Sequence, residues 1–203
     1  MNCERKTIMK KENKLQVKDL MTVGIFATIY IVVKIIVGFL GVVPIVCVIL
    51  PMLTSLVCGT IYMLFMTKVE KFGMLTLLAT VVGGIMTIAG YGWPTVVISV
   101  VCGLIADLIS KNGSYKKFSS ILIGYCVFSQ WGIAPLLPVW MQGDQYFLEL
   151  SQTMGEAFAE SYRALTPVWI IPVLMVGIAV ASVLGGILGR KIMKKHFERS
   201  GII

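Results

Sequence analysis

Two uncharged stretches of this sequence, residues 35–67 and 72–106, are 33 and 35 residues long. An α-helix needs about 20 apolar residues to cross the hydrocarbon core of a bilayer, so each stretch is long enough for more than one crossing. Two more uncharged stretches cover residues 118–143 and 164–189. Only 14% of the residues are charged, against roughly a quarter in soluble domains. The 203-residue sequence therefore predicts an integral membrane protein without a separate soluble domain.

Turn-forming residues divide the apolar stretches into six helices. The segment 90–94, Gly-Tyr-Gly-Trp-Pro, interrupts the second stretch, because glycine and proline are poor helix formers. A similar turn, Gly-Val-Val-Pro, occupies residues 41–44. The predicted spans are residues 20–40, 42–66, 73–89, 94–110, 118–140 and 167–189. The predicted fold is an all-α integral membrane protein with six transmembrane helices in one bundle.

The basic residues predict how this bundle is oriented. Sixteen of the eighteen Lys and Arg residues lie in four clusters beside span ends, at residues 5–18, 68–71, 111–117 and 190–199. Such flanks mark the cytoplasmic side and favour membrane lipid headgroups, not nucleic acid, as their partner. Both tails are basic, so both termini are expected in the cytoplasm, which requires an even number of crossings. The expected organisation is a basic N-terminal segment, a transmembrane domain and a basic tail, at residues 1–19, 20–190 and 191–203.

Residues 141–166 form the longest segment expected outside the cell. Their apolar residues recur at spacings of three and four, which is typical of an amphipathic helix. These residues are Phe147, Leu150, Met154, Phe158 and Leu165. The segment either rests on the membrane surface or covers a binding site as a lid, and the sequence leaves both interpretations open.

Few residues are available for catalysis. The only histidine, His196, lies in the basic tail, which excludes Ser–His and Cys–His arrangements and a histidine metal site within the membrane. Asp107 is the only carboxylate in a predicted span, where we expect a helix-face ion pair with Lys111. No GxxxxGK[ST] loop that would cradle ATP phosphates is present. We therefore predict that the chain is not an enzyme and that it binds no metal and no cofactor.

The candidate ligand-binding residues lie on the side expected to face outward. Lys34 is the one cation inside a span, where a charge faces a protein interior or a water-filled cavity by default; the alternative is that it snorkels to the interface. Trp131 lies deeper than the aromatic belt of a membrane protein and follows Gln130, an amide. Tyr91 and Trp93 are weaker candidates, because an aromatic belt explains them equally well. Together these side chains predict a site for a flat small molecule.

Small residues mark two faces where another helix can approach closely. Gly24, Ala27 and Thr28 form a short patch in the first span. A longer stripe recurs every four residues in the sixth span, at Gly177, Ala181, Gly185 and Gly189. Each face either packs against another helix inside the bundle or docks onto a partner membrane protein, and the sequence leaves both interpretations open.

Several segments give the chain a family resemblance. They are GLIADLISKNGSYK at residues 103–116, the proline-broken SQWGIAP at 129–135 and KHFERSGI at 195–202. With the six-span layout, they make the chain resemble the substrate-binding S components of energy-coupling factor (ECF) transporters, in particular the Trep_Strep, or MptD-like, family. The likeness covers nearly the whole chain.

The resemblance implies a function that no single residue gives. Proteins of this kind capture a vitamin-like or other trace nutrient at the bacterial plasma membrane and join a transmembrane coupling subunit and two ABC ATPase subunits, which hydrolyse the ATP. The family's docking motif on the first helix has two alanines where this chain has Gly24 and Thr28. The alternative function is a stand-alone secondary transporter that uses Asp107 as a proton relay, and a membrane-organising protein without a ligand is a third class.

Overall fold

The computed structural model describes residues 15–69 and 71–199, and within them it is helical with no β-strand. Residues 1–14 of the predicted N-terminal segment and residues 200–203 of the predicted tail lie outside the described residues. The helices are α1 (Val17–Gly38), α2 (Pro44–Met66), α3 (Met74–Met86), α4 (Pro94–Asn112), α5 (Phe118–Ser129), α6 (Leu137–Met141), α7 (Asp144–Met154), α8 (Glu156–Leu165) and α9 (Ile170–Arg199).

Six segments of the described chain are long and apolar enough to cross a membrane, which confirms the predicted number of spans. They are Val17–Val42, Pro44–Met66, Met74–Tyr91, Pro94–Asn112, Phe118–Met141 and Ile170–Lys195. Two of them are not α-helical throughout. A π-helical turn, Thr87–Tyr91, ends the third, and a 3-10 segment, Gln130–Leu136, with Pro135 inside it, separates α5 from α6 in the fifth.

Helices α2 and α9 pack backbone against backbone through the small-residue stripe of the sixth span. A Cβ atom added to Gly185 would lie 2.5 Å from the carbonyl oxygen of Leu56, and one added to Gly189 would lie 2.8 Å from the Cα of Thr60. Gly59 on α2 faces Gly185 directly. Of the two interpretations of this stripe, the structure supports packing inside the bundle.

The carboxylate of Asp107 holds the start of α3 against α4. Its Oδ2 accepts hydrogen bonds from the Gly73 amide at 2.8 Å, the Thr76 amide at 3.2 Å and the Thr76 hydroxyl at 3.0 Å. Its Oδ1 accepts one from the Tyr115 hydroxyl at 2.7 Å. The predicted ion pair between Asp107 and Lys111 was wrong, because these donors occupy the carboxylate while the Lys111 ammonium lies 5.0 Å from the centre of the Phe72 ring.

Different elements lie at the two ends of the bundle. The first turn of α1 lies at one end, where Asp19 pairs with Lys71 of the α2–α3 connection at 2.8 Å. We call this the termini end, because an even number of spans returns α9 to it. Helices α7 and α8 lie at the opposite end, which we call the cavity end.

Candidate functional site

A cavity of about 520 Å³ opens between α1, α2, the π-helical turn after α3, the 3-10 segment after α5, and helices α7 and α8. It lies at the cavity end of the bundle. Its polar lining comes from Tyr30, Lys34, Cys47, Thr54, Ser55, Tyr91, Ser129, Trp131, Tyr146 and Tyr162. Its apolar walls come from Ile31, Ile35, Leu50, Pro51, Ile85, Met86, Ala89, Pro135 and Leu136. The volume lies within the range of small-molecule sites, about 300–1,000 Å³.

Lys34 is the chemical centre of this cavity. Helix α1 directs its side chain into the bundle, where the ammonium nitrogen is buried and has no hydrogen-bond acceptor among the described residues. The nitrogen lies 3.7 Å from the centre of the Trp131 ring and 5.8 Å from that of Tyr91. Between the two interpretations of Lys34, the geometry therefore favours the cavity over snorkelling. The two rings partly compensate the charge, since a cation over an aromatic face gains about 0.5–2 kcal/mol.

Aromatic side chains form the wall behind Lys34. Tyr30 is only 2% exposed, and its ring centre lies 6.3 Å from that of Trp131. Tyr91 stands at the rim and is 42% exposed. The positive φ of Gly90, 101°, allows the chain to turn immediately before Tyr91. Tyr91 therefore offers a flat apolar surface at the rim, and the two buried rings lie deeper beside the ammonium group.

Gln130 and Trp93 are not brought to the cavity. The Gln130 amide nitrogen donates hydrogen bonds to the backbone oxygens of Cys126 at 3.3 Å and Met175 at 3.2 Å, so its side chain faces α9. Trp93 is 67% exposed and does not line the cavity. Of the five predicted ligand-binding residues, Lys34, Tyr91 and Trp131 line the cavity, and the other two do not. Gln130 directly precedes Trp131 in the 3-10 segment, so the two side chains leave the backbone in different directions.

The segment after the fifth span consists of two helices and not one. Gly155, with a φ of 90°, breaks it between α7 and α8, and the exposed side chains of Asp144 and Arg163 join the two helices by an ion pair. Four of the five residues of the predicted apolar stripe pack on the bundle, in contact with a cluster that includes Val48 and Leu136; they are Phe147, Leu150, Phe158 and Leu165. The fifth, Met154, is 47% exposed. The amphipathic face therefore covers the cavity end.

Two tyrosines of this cover reach the cavity, Tyr146 from α7 and Tyr162 from α8. Burial raises the pKa of both phenols above the usual value, so both keep their protons at neutral pH and can donate hydrogen bonds. Their place in the lining favours the lid interpretation of the segment. Sequence reasoning missed Tyr30, Tyr146 and Tyr162, although the last two occur in the same amphipathic segment as the predicted stripe.

The small patch of α1 divides between two faces. Ala27, which was predicted as a docking residue, is 1% exposed and belongs to the bundle core, so it is not on the face open to another helix. Gly24 and Thr28 lie on the outer face, and a Cβ atom added to Gly24 would meet nothing within 4 Å. The outer face thus has a shallow spot that another helix can enter.

The arrangement is suited to binding. Lys34 is the only charged side chain among the residues that line the cavity, and the part of the chain that the structure describes has no group of three or more His, Cys, Asp or Glu side chains that could hold a metal ion. Phenols, hydroxyls and one ammonium group offer hydrogen bonds within apolar walls, which is how small-molecule sites fix orientation.

These observations define the class of protein, a multi-pass helical membrane protein with a cavity at one end of its bundle. The sequence model of the Trep_Strep family, described as hypothetical bacterial integral membrane proteins, matches residues 17–199. The chain belongs to this family, which confirms the Trep_Strep membership predicted from its sequence. No curated protein and no solved structure matches the chain.

Proposed function

We propose that this chain is the substrate-binding S component of an ECF-type ABC importer in the bacterial plasma membrane. It captures a vitamin-like or other small trace nutrient, and partner subunits supply the energy. The observation that carries the proposal is the cavity with the unpartnered ammonium group of Lys34. A buried charge without a partner is costly in an apolar surrounding, and a bound ligand removes that cost.

Charge and topology support an outward-facing cavity. The basic clusters of the α2–α3 and α4–α5 connections flank the termini end, and basic flanks favour the cytoplasmic side. In this orientation both termini are cytoplasmic, and α7 and α8 cover the cavity from outside. A nutrient would then enter from the medium, as an importer requires.

In the proposed function, partner subunits supply the energy for uptake. The sequence has no phosphate-cradling loop, so ATP is hydrolysed by two ABC ATPase subunits joined through a transmembrane coupling subunit. The alternative of a stand-alone proton-coupled transporter needs a carboxylate that exchanges protons. Asp107, the carboxylate considered for that role, is fully buried and accepts four hydrogen bonds, which favours a structural role.

The orientation has a direct test by cysteine labelling. In a background with all five cysteines replaced, we expect a membrane-impermeant maleimide to label Gln152→Cys on α7 from outside intact cells. Lys117→Cys, in the α4–α5 connection, should react only after permeabilisation. Both side chains are exposed, so access through the membrane decides the result. The reverse labelling pattern would contradict the proposed orientation.

Docking onto the coupling subunit is assigned to the outer face of α1 around Gly24 and Thr28. Gly24→Phe should reduce recovery of the coupling subunit in an affinity purification by about tenfold or more, since a bulky ring prevents the close approach of helices. Leu104→Phe, on the exposed face of α4, is the matched control and should leave recovery unchanged. Equal recovery with both variants would remove this face from the interface.

A further inference from the structure

We propose that the ligand of the cavity carries a single anionic group, a carboxylate in the simplest case, on a flat apolar body. This inference rests on the proposed function in one respect, that the cavity is the substrate site. It adds the chemical class of the substrate.

The charge of the lining points to an anion. Lys34 contributes one positive charge, and none of the lining residues is Asp or Glu. The four acidic side chains of the cover lie elsewhere: Asp144, Glu156 and Glu160 border a separate groove on α7 and α8, and Glu149 is exposed and does not line the cavity. No protein carboxylate therefore neutralises Lys34 within the cavity. An ammonium group in an apolar surrounding is stabilised most by an opposite charge with which it forms hydrogen bonds.

The number of anionic groups follows from the same lining. A second ionised group on the ligand would be buried without an opposite charge, because the remaining polar groups are neutral phenols, hydroxyls and a thiol. A cationic group would face both Lys34 and a lining without any carboxylate. The cavity therefore selects against dianions, amines and zwitterions.

A neutral polar contact is still available to the ligand. The hydroxyl of Ser129 lines the cavity, is buried and has no hydrogen-bond partner among the described residues. It can donate one hydrogen bond and can also accept hydrogen bonds. A single uncharged polar group on the ligand body can form a hydrogen bond with this hydroxyl without adding a charge to the cavity.

The shape of the walls favours a flat body. The Tyr91 ring, which is 42% exposed, lines the cavity, and the nearly buried rings of Trp131 and Tyr30 lie deeper in the lining. Aliphatic residues complete the walls, among them Ile31, Leu50 and Ile85. Rings pack well in offset or tilted arrangements on such surfaces. The Lys34 ammonium lies directly over the Trp131 ring at 3.7 Å, so a carboxylate that meets it brings the ligand body to the aromatic wall.

The test compares probes that share a body and differ in charge. Benzoate and cinnamate are the carboxylates, benzamide and cinnamamide the neutral counterparts, and benzylamine and cinnamylamine the cations. Dissociation constants are measured by ligand-observed NMR on the full chain in nanodiscs, with empty nanodiscs to subtract partition into lipid. Each probe is measured with the wild type and with Lys34→Met, Lys34→Arg and Lys111→Met.

We expect the carboxylates to bind more tightly than the amides and the amines. Lys34→Met should weaken carboxylate binding by about 10- to 150-fold, the range for a hydrogen bond to a charged group, and Lys34→Arg should retain part of it. Lys111→Met, the same change at the termini end, should leave all constants unchanged. Unchanged far-UV circular dichroism and a monodisperse elution profile verify that the variants are folded.

Three results would overturn the anionic class. They are equal binding of the three charge classes, carboxylate binding that survives Lys34→Met, and no binding of either carboxylate. Equal binding would leave the proposed function in place, because the cavity would still hold a small molecule. The proposed function is decided separately by recovery of the partner subunits from membranes, which does not depend on these probes.

Discussion

Replacing Gly185 with alanine should destabilise the bundle by about 3 kcal/mol or more, although alanine is the better helix former. The added Cβ would lie 2.5 Å from the Leu56 carbonyl oxygen and 2.8 Å from that of Ser55, both of them backbone atoms. Overpacking costs about 1–3 kcal/mol where neighbouring side chains can move aside. Backbone atoms of a packed helix move less readily, so the cost here should be at the upper end of that range or above it. Separation of α2 from α9 at this point would disturb the most extensive helix–helix contact among the described residues.

The matched control is Gly84→Ala on α3. A Cβ at Gly84 meets nothing within 4 Å, so this change should stabilise the protein by up to about 1 kcal/mol through helix propensity. Equilibrium unfolding in bicelles measures both free energies. Two variants of equal stability would contradict the backbone contact at Gly185, whereas opposite signs would support it.

Replacing Asp107 with alanine should cost at least about 3 kcal/mol. Four donors would lose their acceptor: the amides of Gly73 and Thr76 and the hydroxyls of Thr76 and Tyr115. Hydrogen bonds to a charged group contribute about 1.5–3 kcal/mol each, and a buried donor left unsatisfied costs more than one exposed to water. Burial and the neighbouring carboxylate raise the pKa of Tyr115, so its hydroxyl stays protonated as a donor.

A short series separates this network from an ion pair. Asp107→Asn keeps one oxygen as an acceptor and should lose less free energy of unfolding than Asp107→Ala. Lys111→Ala should change it by no more than about 0.5 kcal/mol, as is usual for a surface substitution. If Lys111→Ala lowered the free energy of unfolding as much as Asp107→Ala, the result would support an ion pair between the two residues and contradict the hydrogen-bonded arrangement.

The fold was largely predictable because its main determinants are local in sequence. Uncharged stretches of sufficient length specify spans, and Pro94 and the preceding glycines specify the break between the third and fourth. The helix break at Gly155 was missed because apolar spacing continues across it. The ion pair predicted for Asp107 was wrong because helix spacing reports only neighbours on the same helix, whereas its donors come from the start of α3 and from Tyr115.

The candidate site was predictable only in part. Lys34 and Trp131 stand out because a charge and a deep indole are unusual within a span. Tyr30 gives no such signal, since a tyrosine in a core helix is ordinary. Gln130 was predicted for the cavity because it precedes Trp131, but side-chain direction in a 3-10 segment depends on a backbone that sequence patterns do not resolve.

The central claim is that this chain captures substrate for partners that hydrolyse ATP. Its most direct test is to identify the subunits that are isolated together with the chain from the membrane. The tagged chain would be purified from membranes of its source bacterium in mild detergent and analysed by native mass spectrometry. We predict an assembly of this chain with one transmembrane coupling subunit and two ABC ATPase subunits. A chain recovered without any ATPase subunit, which by itself accumulates a solute against its gradient in liposomes, would contradict the account.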